Sequence, residues 1–505
     1  MARIQGGDPF LDSFHYFGSD RPVHFEAEVA VDTQAKNMLV LQPGNTAGIL
    51  GLGVAGRATV RFLLQLGLRL KVSDVRPQLQ VEQEEPGFLA FLAGHGVATE
   101  FGSHSPAFLD DLDLLVPAPG VPLQNPLLVE ARRRNIPLAG ELALAAGRFA
   151  APVIAITGSN GKTTVTGLVG HLLRVAGKKP FVGGNIGTPL LEYCLDPADY
   201  DCVVLELSSF QLDLAGSFRP DMGVLLNITP DHLDRHGSLE AYANAKKRLF
   251  AWQQEADLAI FGCDDPLVDA VVLNTGVVRF CFGFGSEYAC RVEKEGVRLR
   301  LPAEEHFFSL ANTRLSSSVN RLNAAASILA ASLAGCNNGA IAQGLASFQP
   351  PPHRMAEVAV INEVTYINDS KATNIGALAA ALSGCSSPVV LIAGGRDKGG
   401  DYALVQDIVT RKVRQLVLIG EAAPLMEKAW GHLVATEHVS NMAQAVQAAS
   451  RAAQPGDTVL LAPGCSSFDL FSGYTERGTV FTQAVLALRD SGAKQASAVV
   501  QSCAR

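Results

Sequence analysis

One segment of the chain has the residue types and the spacing of a phosphate-binding loop. It reads TGSNGKTT over residues 157–164 and stands between an apolar run and a helical pattern. Glycines let backbone N–H groups converge on phosphate oxygens, and the N-terminus of the following helix adds partial positive charge. The segment predicts a nucleotide-triphosphate site, although Ile156 replaces the first glycine of the longer loop pattern. The residues predicted to contact the nucleotide are Gly158, Asn160, Gly161, Lys162, Thr163 and Thr164.

Acidic and histidine side chains follow two other apolar runs. Glu206 ends the run VVLE, where acids are unusual within a buried parallel strand, so it is a candidate ligand for magnesium. The segment NITPDHLDRH, residues 227–236, follows the run GVLL at the edge where sheet proteins bind ligands. The spacing of His232 and His236 also permits zinc, but H-E-x-x-H and a nearby cysteine pair are both missing, so magnesium is favoured. Asp231 can in addition cap a helix.

Two further features have more than one explanation: a pair of lysines that need not be functional, and a glycine pattern that by itself indicates a different activity. Lys246 and Lys247 lie in a helical pattern that starts near Ser238, and spacing alone favours a solvated basic face for them. Gly51, Gly53 and Gly56 form G-x-G-x-x-G, and Asp74 ends the next strand-like run. In isolation this second pattern indicates an NAD-dependent oxidoreductase or a nucleotide sensor, but it leaves the separate phosphate loop unexplained.

The candidate residues lie far apart in the sequence, so β-sheets must bring them together, and the chain has strand-like runs enough for several sheets. Strand-like runs alternate with helical patterns, which predicts an α/β fold with mostly parallel sheets. The 505 residues are too many for one ordinary core. Turn signals and the proline cluster before His353 divide the chain into the following predicted parts: an extension 1–44, domains 45–140, 141–350 and 351–492, and a tail 493–505.

Composition narrows the class of protein. A hydrophobic content of 48% with 18% charged residues is typical of a globular protein, and a net charge of -8 argues against nucleic-acid binding. No apolar run approaches the roughly 20 residues that a membrane helix needs. The nine cysteines form no C-x-x-C motif, which predicts reduced thiols and a cytoplasmic protein.

The ordered set of motifs between about residues 46 and 490 resembles the Mur ligase family. The matching pieces are GLGVAG, PAPGV, TGSNGKTTVT, GGNIG, LELSSFQL, NITPDHLDRH, YANAK, PHRMAEV, INDSKATN, GGRDKGG, and LAPGCSSFDLF with ERG. The resemblance implies a Rossmann-like N-terminal domain for a UDP group, a central ATPase domain and a Rossmann-like C-terminal domain. It also implies a monomeric enzyme of peptidoglycan precursor synthesis, in which ATP activates the carboxylate of UDP-N-acetylmuramoyl-L-alanine as an acyl phosphate and the amine of D-glutamate attacks it.

The resemblance assigns metal, nucleotide and UDP-substrate roles residue by residue. Lys162 and Thr163 hold phosphates and magnesium, Glu206 binds a first ion, and His232 contributes to a second. Lys246 matches the lysine that the family carbamylates with carbon dioxide, which would give magnesium an anionic oxygen ligand instead of a repelling ammonium. The residues implied to contact the UDP substrate are Gly53, Val54, Ala55, Gly56, Asp74, Arg76, Asn185 and His232.

Further roles fall on the C-terminal part of the chain. The resemblance places Asp369 at the ATP ribose, Arg354 on ATP and Lys371 near the reacting phosphate, and makes Asn320 and Asn323 adenine-side contacts. The residues implied to bind the amino acid are Thr373, Lys398, Ser467, Phe468 and Tyr474. A basic side chain and hydroxyl groups suit a dicarboxylic amino acid. Without the resemblance, turn and cap chemistry is the better explanation for Thr373 and Ser467.

The chain departs from the family pattern at two places. The segment 316–319 reads SSSV, where family members show glycine and histidine, and Phe468 and Tyr474 replace other apolar or aromatic groups. A different Mur-type ligase remains an alternative, as does a folylpolyglutamate-type ligase, although the latter typically lacks the GLGVAG domain.

Overall fold

The protein is described by a computed structural model that covers residues 39–503 except 198, 303 and 386, without side chains for 234 and 491–503. Most of the predicted extension 1–44 therefore lies outside the described residues. Three separate sheets carry the described strands. The α/β character predicted from the alternating runs is confirmed.

The N-terminal sheet is parallel and has the strand order β3-β2-β1-β4. Its strands are β1 (Thr46–Leu50), β2 (Arg69–Asp74), β3 (Ala98–Phe101) and β4 (Leu114–Pro117), and its helices are α1 (Val54–Gln65), α2 (Gln78–Glu84), α3 (Phe88–Gly94) and α4 (Pro126–Arg133). Helix α1 ends just before Gly67, because Gly67 adopts a left-handed conformation with φ +77°. This turn returns the chain directly into β2.

The central sheet is the largest, with the order β13-β12-β11-β10-β9-β8-β5-β7-β6. Its strands are β5 (Val153–Thr157), β6 (Pro180–Gly184), β7 (Cys202–Glu206), β8 (Met222–Leu225), β9 (Leu258–Gly262), β10 (Val278–Gly283), β11 (Cys290–Val292), β12 (Gly296–Leu301) and β13 (Glu304–Ser309). The pairs from β6 to β11 are parallel, whereas β12 and β13 pair in antiparallel fashion. Every residue of β5, β7, β8 and β9 is buried, as expected for strands covered on both faces.

Helices of varied length follow or connect these central strands. They are α5 (Glu141–Ala145), α6 (Lys162–Val175), α7 (Leu190–Leu195), α8 (Ser209–Asp213), α9 (Leu233–His236), α10 (Leu239–Lys247), α11 (Pro266–Asp269), α12 (Ser318–Leu333) and α13 (Asn338–Ser347). Helix α6 begins directly after the phosphate loop, with its amphipathic face packed on the sheet. The loop is thereby held between a buried strand and the N-terminus of a long helix.

The C-terminal sheet has the order β14-β15-β19-β16-β17-β18, in which only β14 is antiparallel to its neighbour. Its strands are β14 (Ala356–Ile361), β15 (Val364–Asn368), β16 (Val389–Gly394), β17 (Val413–Ile419), β18 (Ala435–Val439) and β19 (Thr458–Leu461), and its helices are α14 (Ile375–Gly384), α15 (Gln406–Lys412), α16 (Ala423–Trp430), α17 (Met442–Ala452) and α18 (Tyr474–Cys503). Two apolar clusters cover its two faces. The backbone of α18 continues through residue 493, where the sequence predicts a separate tail, so that boundary has no counterpart in the helix.

The described chain divides into two compact units. The first runs to Asn227 and also includes Ala243–Thr313 and Asn323–Phe348, so it holds the N-terminal and central sheets. The second comprises Ile228–Tyr242, Arg314–Leu322 and the chain from Gln349 onward. None of the helices in the described part of the chain is both long enough and apolar enough to cross a membrane.

One pair of cysteines departs from the prediction of reduced thiols. Cys263, just after β9, and Cys281, in the neighbouring strand β10, form a disulfide. The prediction was wrong at this pair because it relied on the absence of C-x-x-C, whereas parallel strands bring together cysteines that lie 18 residues apart. The other cysteines with described side chains are free thiols.

Candidate active site

The phosphate loop of the first unit has the backbone conformation that its glycines predict. Gly158 and Gly161 adopt φ angles of +154° and +87°, and Gly161 is the N-cap of α6. The φ of Gly161 lies in the region that favours glycine, and a Cβ atom there would also displace the Asn323 side-chain oxygen. The Nζ of Lys162 donates to the carbonyl oxygens of Gly158 at 2.8 Å and of Ser159 at 3.0 Å. Lys162 therefore lies over the phosphate loop, where it is predicted to contact the nucleotide.

Asn227, which follows β8, supports the loop from the neighbouring strand. Its carbonyl oxygen accepts from the backbone N–H of Ser159 at 2.9 Å. Its side-chain oxygen accepts from the N–H of Asn160 at 2.8 Å, and its Nδ2 donates to the Asn160 carbonyl at 3.1 Å. Sequence reasoning placed Asn227 in the NITPDH segment but missed this role. The feature that could have revealed this role is the position of Asn227 after the carboxyl end of β8, the strand next to β5.

Glu206 and Asn185 meet at the ends of β7 and β6. The Glu206 side chain is buried, with 2% of its surface exposed, and its Oε1 accepts from Asn185 Nδ2 at 2.9 Å. The second carboxylate oxygen, Oε2, is buried and has no hydrogen-bond partner among the described residues. An orphaned carboxylate oxygen fits a magnesium ion, which prefers hard oxygen ligands. The structure therefore brings a predicted metal ligand against a predicted substrate contact.

Lys246 lies at the phosphate loop and not on a solvated face. Its side chain is buried, with 1% of its surface exposed, and its Nζ donates to the Gly158 carbonyl oxygen at 2.8 Å. The neighbouring Lys247 is only partly buried. Spacing alone favoured a solvated basic face. That interpretation is wrong for Lys246, because the last turn of α10 directs its side chain toward the phosphate loop.

The glycine loop of the N-terminal domain is also built for close backbone approach. Gly51 has a φ of +93°, and a Cβ atom at Gly56 would collide with the Gly51 carbonyl. The carboxylate of Asp74 accepts from the Leu52 N–H at 2.6 Å and from three nitrogens of Arg76, the backbone N and Nε at 2.9 Å and Nη2 at 2.7 Å. Burial alone would raise the pKa of Asp74, but the hydrogen bonds from Arg76 and Leu52 hold it below its ordinary value. An ionised Asp74 thus fixes the loop.

The remaining groups of this loop lie at the start of α1. Val54 is exposed and Ala55 partly exposed, so the first-turn N–H groups of the helix are accessible beside Gly53. Such an N-terminus can hold the pyrophosphate of a nucleotide-linked substrate. The structure brings Gly53, Val54, Ala55 and Gly56 together at one end of the sheet, with Asp74 at the end of the adjacent strand.

The second unit collects its predicted residues on three loops, which we call the three-loop cluster. They are residues 369–374 after β15, 395–401 after β16 and 462–473 after β19. These three strands are neighbours in the sheet and are parallel, so the loops meet at one carboxyl edge. Thr373, Lys398 and Ser467 each belong to a different loop of the cluster.

Arg477 on α18 ties two of these loops together. Its guanidinium is buried, with 2% of the residue exposed. It donates to Ser370 Oγ at 3.0 Å, to the Ser370 carbonyl at 2.8 Å and to the carbonyls of Cys465 and Ser466 at 3.2 Å. Sequence reasoning quoted this arginine only as part of ERG. Its role was not predicted, because no pattern in the sequence reveals which carbonyls a buried guanidinium satisfies.

Aromatic groups border the cluster. The Nζ of Lys371 lies 4.0 Å from the centre of the Tyr474 ring, a cation–π contact. Ser370 Oγ also donates to the Tyr474 carbonyl at 2.8 Å. Phe468 is 63% exposed, which is unusual for so large an apolar group. The structure thus places Tyr474 beside the predicted catalytic lysine, and Phe468 at the surface of the third loop.

Asp231 and His232 lie in the same unit. Asp231 accepts from Asn374 Nδ2 at 2.9 Å and pairs with Lys398 Nζ at 3.4 Å. His232 has a left-handed backbone with φ +55° and places its Nε2 3.6 Å from Asp231 Oδ2. His236 instead packs its ring on Tyr242. Among the described side chains, only Cys263, Asp269 and Cys281 lie close enough together to form a group of three metal-type ligands, and the disulfide already occupies both of these sulfurs. His232 and His236 belong to no such group, so zinc there gains no support.

Asp369 begins the first loop of the cluster and titrates near neutrality. Burial raises its pKa to about 7, against the opposing effect of the nearby Arg354 guanidinium and the Met355 N–H. Met355 N donates to Asp369 Oδ1 at 3.2 Å. The remaining predicted nucleotide contact of this unit, Asn320, lies at the start of α12 and donates to the Arg314 carbonyl at 3.4 Å.

Family models match most of the chain. The model of the Mur ligase MurD-like N-terminal domain matches residues 45–140, that of the Mur ligase middle domain matches 156–331, and that of the Mur ligase glutamate ligase domain matches 353–465. The UDP-N-acetylmuramoylalanine--D-glutamate ligase of Desulfotalea psychrophila is 45% identical over 89% of this chain and 97% of its own length. The enzyme of that name from Syntrophotalea carbinolica is 38% identical over 89% of this chain and 99% of its own.

Solved structures show the same fold at low identity. The MurF ligase of Thermotoga maritima in complex with ADP has a TM-score of 0.55 at 17% identity, and it covers 90% of this chain and 96% of its own. The MurC ligase of the same organism has a TM-score of 0.53 at 19% identity, with 88% and 99% covered. The three-domain α/β fold predicted from the sequence is confirmed. The chain belongs to the Mur ligase family.

Proposed function

We propose that this enzyme joins D-glutamate to UDP-N-acetylmuramoyl-L-alanine in the cytoplasm, as a step of peptidoglycan precursor synthesis. Mur ligases are ATP-dependent, magnesium-using enzymes that form amide bonds, and this chain is one of them. The observation that carries the chemistry is the buried Glu206 oxygen without a partner on the strand beside the phosphate loop. The choice of D-glutamate is supported by relatives of that name, which align over nearly their whole length.

In the first step the acceptor carboxylate attacks the γ-phosphorus of ATP. A bond forms between that oxygen and phosphorus, the bond to the ADP oxygen breaks, and an acyl phosphate results. Lys162 and the loop N–H groups hold the phosphates, and Glu206 with Thr163 would hold magnesium. When bound, magnesium neutralises charge on the transferring phosphoryl group. Asn185, which is hydrogen-bonded to Glu206, would orient the acceptor.

In the second step the amine of the amino acid, after losing a proton, attacks the acyl carbon. The tetrahedral adduct collapses by breaking the bond to the phosphate oxygen, and the nitrogen gives up its extra proton to the departing phosphate, which leaves the amide and inorganic phosphate. Lys371 offers positive charge to the departing phosphate. Thr373, Lys398 and Ser467 would hold the carboxylates of the amino acid, since ammonium and hydroxyl groups are suitable donors to carboxylate oxygens.

Two finer assignments also belong to this proposal. Neutral Lys246 would react with carbon dioxide to form a carbamate and release one proton, and the carbamate oxygen would become an anionic metal ligand. The buried position of Lys246 beside the Gly158 carbonyl supports this, because an ammonium group at the phosphate loop would oppose a nearby cation, whereas a carbamate would bind one. His232 would contribute to a second ion, and a single chain would carry the whole reaction.

The proposal is tested by phosphate release from ATP across a panel of D- and L-amino acids, with UDP-N-acetylmuramoyl-L-alanine as acceptor. We expect release that requires both the acceptor and D-glutamate, and a product whose mass equals acceptor plus glutamate minus water. Release with another amino acid but not with D-glutamate would assign the chain a different substrate within the family. Tight NADH binding without ATP turnover would contradict the ligase mechanism altogether.

A further inference from the structure

The hydroxyl group of Tyr402 lies between two loops of the three-loop cluster. It donates to Asp397 Oδ1 at 2.6 Å and lies 3.2 Å from the Sγ of Cys465. A tyrosine hydroxyl has only one hydrogen, which the carboxylate of Asp397 accepts, so the thiol must donate to the tyrosine oxygen. Burial raises the pKa of Cys465 to about 11, so the thiol keeps this proton at neutral pH. A continuous hydrogen-bonded chain therefore joins Cys465, Tyr402 and Asp397.

The two ends of this chain adjoin predicted amino-acid contacts. Asp397 immediately precedes Lys398, and Cys465 stands two residues before Ser467. The same loops are paired through their backbones, because Arg396 N donates to the Ser466 carbonyl at 2.9 Å and Ser466 N donates back at 3.1 Å. The backbone bridge sets the distance between the loops. The tyrosine adds a side-chain connection next to the residue that carries the ammonium group.

The position of the tyrosine is itself set by the core. Its ring is 7% exposed and packs edge-on against Trp430 with the ring centres 5.6 Å apart. Trp430 is fully buried, and its Nε1 donates to the Tyr402 carbonyl at 2.8 Å. A rigid aromatic pair thus carries the hydroxyl, which is the kind of support that holds binding groups in a fixed geometry.

We propose that Tyr402 is a positioning residue for the amino-acid substrate, one that fixes Lys398 relative to Ser467. The inference rests on the proposed function, because it uses the assignment of these two residues to the amino acid. A substrate with two carboxylates needs donors at a fixed separation, and a loop that moves must be ordered again each time substrate binds. The tyrosine would therefore govern the affinity for the amino acid and leave the affinity for ATP unchanged.

The test compares Tyr402→Phe with Tyr366→Phe in the full-length enzyme. Tyr366 is a matched control, since it is buried in the same unit, its hydroxyl bonds Ser450, and it packs in the apolar cluster on the opposite face of the sheet. KM values for the amino acid, ATP and the UDP-linked acceptor are measured for both variants. We expect Tyr402→Phe to raise only the amino-acid KM, by about tenfold, which corresponds to about 1.4 kcal/mol.

Several outcomes would overturn the proposal: an unchanged amino-acid KM in Tyr402→Phe, equal rises in all three KM values, or the same amino-acid effect in Tyr366→Phe. If Tyr402→Phe does not fold, Asp397→Ala decides by the same criterion, because it removes the acceptor at the end of the chain. The amino acid that the wild-type enzyme uses tests the proposed function separately from the role of Tyr402. Should it use an amino acid other than D-glutamate, the proposed substrate fails, and the KM of the accepted amino acid then tests Tyr402.

Discussion

The phosphate site of the first unit and the three-loop cluster of the second are built in opposite ways. In the phosphate site, residues 158–164 form one contiguous segment, the glycine loop and the first turn of α6, and Asn227, Glu206 and Lys246 join it from elsewhere. In the cluster, no single segment is sufficient, because Thr373, Lys398 and Ser467 stand on three loops spread over about a hundred residues. Both sites use the carboxyl edge of a parallel sheet.

The difference lies in where the rigidity comes from. Mostly local chemistry holds the phosphate loop, through glycine conformations and the start of α6, with Asn227 as a support from the neighbouring strand. The cluster depends on buried side chains that cross between loops, above all Arg477 and Tyr402. Substitutions in the phosphate site should therefore reduce catalysis with little loss of stability. Substitutions of Arg477 or Tyr402, which connect the loops of the cluster, should mainly change amino-acid binding or the stability of the protein.

The largest effect is expected from Lys162→Ala. Its ammonium donates to the backbone carbonyl oxygens of Gly158 and Ser159, and loss of a charged group aimed at transferring phosphate typically costs about 10²–10³-fold in rate. We expect phosphate release to fall by about 10³-fold, while the melting temperature shifts by no more than about 2 °C. Lys162→Arg, which retains the charge, is the control. Wild-type rates in Lys162→Ala would remove this loop from the mechanism.

A smaller loss is expected from Lys246→Ala, about 10²-fold in kcat, because the variant loses the carbamate that would bind metal. Lys247→Ala is the matched neighbour, on the same helix and only partly buried, and should stay within about twofold of wild type. Intact-protein mass measured under carbon dioxide should show one added carbon dioxide in the wild type but not in Lys246→Ala. Equal losses in both variants would mean that the helix, and not the carbamate, matters.

Much of the fold could be predicted because its determinants are local. The boundaries of α1 follow from the glycine loop before it and Gly67 after it, and α6 follows from the phosphate loop. Apolar runs in the sequence correctly marked β5, β7 and β8 of the central sheet. The continuation of α18 past residue 492 could not be predicted, because small and polar residues neither require nor forbid a helix.

The contacts that could not be predicted are those between segments distant in sequence. Lys246 seemed solvated from its spacing, and only the tertiary packing of α10 turns it toward Gly158. The disulfide of Cys263 and Cys281 requires that β9 and β10 be neighbours, which no local pattern reveals. Asn227 and Arg477 act through backbone carbonyls and N–H groups, and such partners leave no trace in residue types.

Arg477→Lys should affect the stability of the second unit. Burial lowers the pKa of Arg477 to about 10, yet its guanidinium group still donates hydrogen bonds to three residues at once. Lysine can replace only part of this set, so we expect a loss of about 2 kcal/mol in unfolding free energy, roughly a 30-fold change in the folding equilibrium. Chemical denaturation followed by tryptophan fluorescence measures it, in a Trp252→Phe background where the signal comes from Trp430. Arg411→Lys, at an exposed arginine on α15 of the same unit, is the control and should be neutral.

The smallest effect concerns the pH dependence of ATP binding, and it tests whether the cluster also serves the nucleotide. Because burial raises the pKa of Asp369 to about 7, the free enzyme holds mostly a neutral acid at pH 6 and mostly a carboxylate at pH 8. Ribose hydroxyls donate to a carboxylate, so the affinity for ATP should rise with pH through 7.

The ionised fraction of Asp369 changes about tenfold between pH 6 and 8, which limits the gain in affinity to about tenfold. Calorimetric titration with a non-hydrolysable ATP analogue across this range measures it. Asp369→Asn cannot titrate at this position, so the part of the pH dependence due to Asp369 should disappear in that variant. If both proteins gave the same pH profile, Asp369 would not contact the ribose. The three-loop cluster would then lose its predicted ribose contact, and the contrast with the phosphate site would extend to the ligand that each site binds.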